Sequence, residues 1–181
     1  MKRDELLDAA ERLLADRGAS ALTLATCAQT AGVSKGGLLY HFNSKETLIR
    51  ALVERLIADF DQLIGEHPPP GGPSGPSGPN GQPRTYTERY VHATFAALRT
   101  GRLRRWAVVT AAAGDPDLLA PLREAMARWH SDELAREPDP AVSEVVRLAC
   151  EGVWEVATHA PGLYSQQHYD DLEQRLLAML R

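Results

Sequence analysis

Residues 23–45 read TLATCAQTAGVSKGGLLYHFNSK. Thr23 stands ahead of a short apolar run, Leu24 to Ala31, which Gly32 stops. Ser34 then stands ahead of a second run that ends near His41. Hydroxyl side chains at both starts supply acceptors for the orphan N–H groups of a helix N-terminus. Glycine at the stop permits the left-handed backbone that closes a helix. The spacing therefore predicts two short helices meeting at a four-residue turn, Ala31-Gly32-Val33-Ser34. Ala28 is small where the helices cross, and Val33 and Leu38 fill the gap between them. This is a helix-turn-helix pattern, and such a motif can lay its second helix in a DNA major groove.

The second helix carries Lys35, Gly36, Gly37, Tyr40 and His41, poor choices for a buried short helix. They suit close backbone approach to a duplex, with a cation, a phenol and an imidazole for phosphates and base edges. Lys45 opens the next helix, where backbone N–H groups and a positive charge attract a phosphate. The charge distribution agrees. The whole chain carries 20 basic and 24 acidic residues, for −4, but residues 1–50 hold seven basic against six acidic. Such a balance excludes a protein that coats nucleic acid through general basicity and leaves one local patch.

Outward from this segment almost everything reads as helix. Upstream, Leu6, Leu7, Ala10, Leu13 and Leu14 form a 3.6-period stripe from Arg3 to Arg17, ended by Gly18. Downstream, Ser44 caps a long helix from Lys45 to about Glu66. Residues 68–83, PPPGGPSGPSGPNGQP, hold seven Pro and five Gly, which no helix or central strand survives, so a disordered loop is expected. Thr85-Tyr86-Thr87-Glu88 is a capping box that starts a helix running to about Thr100. Further helices are expected around Trp106 to Ala113, over 116–136 behind Asp115-Pro116, over 140–160 behind Asp139-Pro140, and after Ser165. The expectation is an all-α chain of about nine helices. Residues 1–50 form the helix-turn-helix domain, with the recognition helix at about 34–41, and 51–181 a second helical domain.

Several classes are excluded. No run of 18 apolar residues exists to cross a membrane, and Cys27 and Cys150 are too few for a disulfide scaffold, so a reducing cytoplasm is expected. Histidines 67, 92, 130, 159 and 168 lack metal-ligand spacing, no catalytic signature appears, and no cofactor is implied.

The first 52 residues resemble the DNA-binding domain of the TetR family of bacterial transcriptional regulators. The carrying residues are the helix from Leu6-Leu7 to Gly18, Leu24, Ala28, Ala31-Gly32-Val33-Ser34-Lys35-Gly36, Leu38-Leu39-Tyr40-His41-Phe42 and Ser44-Lys45-Glu46. The resemblance implies base or phosphate contacts at Thr23, Ser34, Lys35, Gly36, Gly37, Tyr40, His41 and Lys45, on an operator of double-stranded DNA. It also implies that the remaining helices form a ligand-binding and dimerisation domain. Two departures stand out. Leu39 replaces a common aromatic residue, and only Lys2 and Arg3 precede the first helix as a basic arm. Both imply fewer phosphate contacts and a stronger dependence on dimerisation.

Within the second domain, Val142, Val146, Ala149, Val153 and Val156 fall on one helical face and Leu172, Leu176 and Leu180 on another. Two copies of this pair suit a four-helix homodimer interface, and intrachain packing is the alternative. All three tryptophans lie in this half. Trp106, Trp129 and Trp154, with Tyr90, Phe95 and Met126, suit a flat apolar or aromatic effector, and Glu151 or Glu155 suits a cationic one. The resulting expectation is a dimeric, effector-released repressor. An activator or architectural DNA binder without effector, and a helical enzyme or carrier, stand as alternatives.

Overall fold

The computed structural model describes residues 3–65, 85–131 and 134–181, so the Pro/Gly stretch 68–83 lies outside the described residues. Asp4 and Glu5 in the first turn and Arg17 in the last complement the dipole of the opening helix, α1 (Arg3–Arg17). Its apolar stripe is buried, with Leu6, Leu7, Leu13 and Leu14 each almost completely covered. Each such leucine is worth about 2 kcal/mol of transfer free energy. A 3-10 turn at Ala19–Ala21 leads into α2 (Leu24–Ala31), α3 (Lys35–His41) and α4 (Lys45–Gly65). Then follow α5 (Tyr86–Arg99), α6 (Arg102–Ala113), α7 (Ala120–Ser131), α8 (Pro140–His159) and α9 (Gln166–Met179). The described residues thus hold nine α-helices and no strand. No described helix is long and apolar enough to cross a membrane.

The expected helix over 116–136 is broken into three pieces. Pro121 lacks an N–H and its ring opposes the carbonyl four residues back, so residues Pro116–Leu119 close as a 3-10 turn instead. Asp115 caps that turn by accepting from the Asp117 N–H at 2.9 Å. α7 then starts at Ala120 with Pro121 in its first turn, and a second 3-10 turn occupies Leu134–Arg136. α6 begins at Arg102, four residues before the expected start, because Gly101 at φ 70° reverses the chain at once after α5.

The chain forms two compact units. Met1–Ile57 groups with Arg104–Ala125, and Ala58–Leu103 groups with Met126–Arg181. In the first unit, Glu11 of α1 explains why part of α6 joins the first four helices. Its carboxylate accepts from Arg105 of α6 at 2.7 Å and lies 3.6 Å from Arg55 of α4, which also pairs with Asp8. In the second unit, α8 and α9 pack on α5 and on each other. Cys27 is buried in the first unit and Cys150 in the second.

Candidate nucleic-acid interface and effector site

Thr23 caps α2 through a reciprocal box: its hydroxyl accepts from the Thr26 N–H at 3.1 Å, and its own N–H donates to Thr26 Oγ1 at 3.0 Å. Gly32 ends α2 at φ 71°, and the Val33 N–H donates back to the Ala28 carbonyl at 2.9 Å. That closure swings the chain into Ser34, whose hydroxyl caps α3 by accepting from the Gly37 N–H at 3.1 Å. Cys27 and Ala28 of α2 and Leu38 of α3, with Phe42 just beyond, are buried and fix the crossing. The Arg3 guanidinium lies 5.4 Å from the Phe42 ring centroid and covers its edge of the motif.

With Leu38 and Phe42 turned inward, the rest of α3 faces out. Ser34, Lys35, Gly36, Gly37, Tyr40 and His41 are all exposed, as is Thr23. Tyr40 is 87% exposed, its ring edge-on to His41 at 5.1 Å. Lys45 is half-buried in the first turn of α4, behind the cap that Ser44 makes with Thr47. Beside it, hydrogen bonds from its own backbone N–H and from Ser44 hold the Glu46 carboxyl below the usual range.

The two glycines of α3 are informative. Neither has positive φ, and a Cβ on Gly36 meets only Ser34 Oγ, at 4.0 Å. A Cβ on Gly37 meets Ser34 Oγ at 3.4 Å and Val33 Cβ at 4.0 Å, ordinary contact distances. The chain's own packing therefore does not require glycine. Glycine costs up to about 1 kcal/mol against alanine in a helix interior, so nothing within the chain favours it here.

In the second unit the aromatic residues converge on one that the sequence pattern does not single out. Phe60 of α4 meets Tyr90, Trp129 and Trp154 edge-on, at centroid distances of 5.4, 4.9 and 5.0 Å. Each polar tip has a partner inside the unit. Trp129 Nε1 donates to Asp61 at 2.7 Å, and Trp154 Nε1 donates to Thr94 Oγ1 at 3.5 Å. The Tyr90 hydroxyl donates to Glu151, whose same oxygen lies 3.2 Å from His130 Nε2. Burial, and then the Glu151 charge, push the Tyr90 phenol well above its ordinary range, so it stays a donor.

The structure thus brings together Tyr90, Trp129, Glu151 and Trp154 and adds Phe60, Asp61 and His130. The remaining expected residues fall elsewhere. Trp106 belongs to the other compact unit. Met126 is 37% exposed rather than buried, because the buried face of α7 runs through Ala125 and Trp129 and Met126 lies off it. Phe95 is buried on α5 but is not among the rings that meet Phe60. Glu155 is exposed and pairs with His159 at 3.2 Å. Phe60 was visible only as the one aromatic in the apolar stripe of α4.

The residues of the expected dimer face divide by burial. Val146, Val153 and Leu176 are buried within the single chain, and Val142, Ala149, Val156, Leu172 and Leu180 are half-buried. α8 is apolar on two faces, and the valine-rich one packs inward. The face left to solvent carries Val145 and Leu148, 55% and 57% exposed, with Gly152 one turn on and Met179 of α9 also exposed.

A recognition helix on one helical unit and an aromatic cluster in another define a two-part helical regulator. The family comparisons agree. Residues 6–52 match the family of bacterial regulatory proteins of the tetR type, and residues 84–181 match the tetracyclin repressor-like C-terminal domain. The chain belongs to the TetR family of transcriptional regulators, a family of regulators and not of enzymes. Over 61 residues it is 41% identical to the regulator TtgR of Pseudomonas putida, a match covering 34% of this chain and 29% of TtgR. Over 67 residues it is 43% identical to the repressor KstR2 of Mycolicibacterium smegmatis, covering 36% and 31%. The match thus spans about a third of the length of these curated relatives. The fold of nearly the whole chain is similar to that of the multidrug binding protein EbrR, crystallised with malachite green. That likeness has a TM-score of 0.67 at 22% identity and covers 97% of each chain.

Proposed function

We propose that this chain is a cytoplasmic, effector-released transcriptional repressor that binds a near-palindromic operator as a homodimer. The observation that carries this reading is α4, one unbroken helix with Lys45 in its first turn and Phe60 and Asp61 in its last two turns. Lys45 follows the recognition helix directly, and Phe60 is the hub of the aromatic cluster. A ligand that inserts beside Phe60 and Trp129 displaces α4 and changes the spacing of the two reading heads. Those heads lie about 34–36 Å apart on one face of DNA, or somewhat wider. Thr23, Ser34, Lys35, Gly36, Gly37, Tyr40, His41 and Lys45 form the DNA-contacting set. The second copy docks on the face of Val145, Leu148, Gly152 and Met179, with Leu172 and Leu180 at its edge.

The effector is a flat aromatic cation. Glu151 supports this, since its partners at the cluster are a tyrosine hydroxyl and an imidazole rather than an arginine or lysine. Malachite green is the first probe because EbrR, with a similar fold, has been crystallised with it. Ethidium is the second on the same ground. Decisive release requires about 10⁴-fold preference for the non-binding conformer, around 5.5 kcal/mol.

The test is a gel shift with DNA from upstream of the gene, at two salt concentrations and with excess random competitor. A competitor-resistant complex that weakens with salt and dissolves with either dye supports the reading. A complex indifferent to every compound that quenches tryptophan emission leaves a DNA binder without an effector. If no fragment shifts and random-sequence selection enriches no palindrome, the operator reading fails.

A further inference from the structure

Helices α5, α7 and α8 meet twice in the second unit, one helical turn apart along α8. The upper meeting is the one already described, where Glu151 of α8 joins Tyr90 of α5 to His130 of α7. The lower one centres on Arg147, four residues earlier on α8, whose side chain is completely buried. Its Nε donates to Thr87 Oγ1 of α5 at 2.8 Å. Its Nη1 donates to the carbonyls of Trp129 and His130 at 3.2 and 3.0 Å. Both residues lie in the last turn of α7 as described, where a helix end leaves carbonyls for side chains to satisfy. Its Nη2 donates to Glu137 Oε1 at 3.1 Å, and that oxygen also accepts from the Thr87 N–H at 2.8 Å and the Thr87 hydroxyl at 2.9 Å. The guanidinium lies 4.8 Å from the Tyr86 ring centroid.

A buried ion pair is a poor source of net stability, because desolvating both charges offsets most of their attraction. What this pair does is geometric. A planar guanidinium with donors in a fixed fork admits one arrangement of its acceptors. Two of those acceptors are the backbone of Trp129 and His130, the residues whose side chains meet Phe60, Tyr90 and Glu151. The other end of Glu137, Oε2, is buried without a hydrogen-bond partner, so the pair is held at a cost that packing for stability alone does not require.

We infer that Arg147 and Glu137 are positioning residues for the effector site: they hold α5, α7 and α8 in the register that sets Trp129 and His130 against Tyr90 and Glu151. The inference rests on the effector reading of the cluster, and neither residue touches the ligand. The lower meeting stays closed as a pivot while the upper one opens to admit the effector.

The test uses the full chain with Trp106→Phe and Trp154→Phe, so that tryptophan emission reports Trp129 alone. Removing Arg147 by itself strands the buried Glu137 charge and invites misfolding, so the main variant is Arg147→Met with Glu137→Gln. Arg147→Lys, which keeps the charge and loses the fork, stands beside it and decides the matter if the double variant does not fold. The expected result is a helical protein that binds operator normally but shows red-shifted Trp129 emission and about tenfold weaker ethidium binding. Arg147→Lys is expected to fall between. Unmoved emission with ethidium affinity within about twofold of the parent overturns the inference. If the chain with all three tryptophans in place binds neither ethidium nor malachite green, the effector reading has failed, and Trp129 emission alone then decides whether Arg147 positions that residue.

Discussion

The two working regions of this chain are built on opposite terms. The recognition helix is seven residues long, buries little beyond Leu38, and exposes small or polar residues that its own packing does not need. The aromatic cluster is made of the bulkiest residues in the chain, closed on one another, with each polar tip satisfied inside. The first, on the proposed reading, is finished by a partner from outside. The second is finished already, and a ligand must undo something to enter. If the proposed roles hold, substitution in the recognition helix costs binding without unfolding, whereas substitution in the aromatic cluster costs stability first.

The largest break in that contrast is expected at the second copy. Leu148→Glu places a charge on the exposed face of α8, and light scattering should then show a monomer. Losing the tethered second head should weaken operator binding by about 10²- to 10⁴-fold with helicity unchanged. A dimer that persists would move the interface elsewhere. Next comes the hub of the cluster. Phe60→Ala removes the ring on which three others close, and should cost about 3–5 kcal/mol in thermal or urea unfolding. A change below about 1 kcal/mol would mean that the cluster is loosely packed.

Gly37→Ala sharpens the contrast because its two effects have opposite signs. The alanine should raise stability by about 0.5–1 kcal/mol while lowering operator affinity about tenfold, if the α3 backbone lies against the duplex. Unchanged affinity would return the glycine to indifference. The smallest effect is expected at Glu173, buried on α9. Burial pushes its carboxyl up, but hydrogen bonds from His92 and Arg99 outweigh this and hold it below the usual range. A depressed folded value stabilises the fold above the unfolded glutamate range, near pH 4.3. That stability is lost as pH falls through the folded value. Glu173→Gln should flatten the acid side of the stability profile below about pH 5, read by circular dichroism, and leave neutral pH little changed.

The head was legible in the sequence because its determinants are local. Gly32, the caps at Thr23 and Ser34, and the Ala28 crossing each declare themselves within a few residues. The sensor was legible only in its ingredients. Apolar spacing marked Val146, Val153 and Leu176 as covered but not by what, and all three are buried within the chain, on helices that pack against α5 and each other. Val145 and Leu148 looked incidental beside the valine stripe, yet they are what solvent sees. Phe60 stayed hidden because its role depends on helices 30 to 94 residues further along the chain. Pro121 did carry its signal, a ring that cannot continue a helix begun at Pro116.

Burial raises the thiol of Cys27 above its ordinary range and pushes that of Cys150 up to about 12. Both sulfurs are therefore protonated at neutral pH and shielded from bulky reagents. A maleimide dye or nitroxide would react with an introduced surface cysteine and leave the native pair alone. Tyr40→Cys in each copy would then turn the dimer into its own ruler. Double electron–electron resonance between the two labels would read the separation of the recognition helices, with and without dye, on the unbound protein.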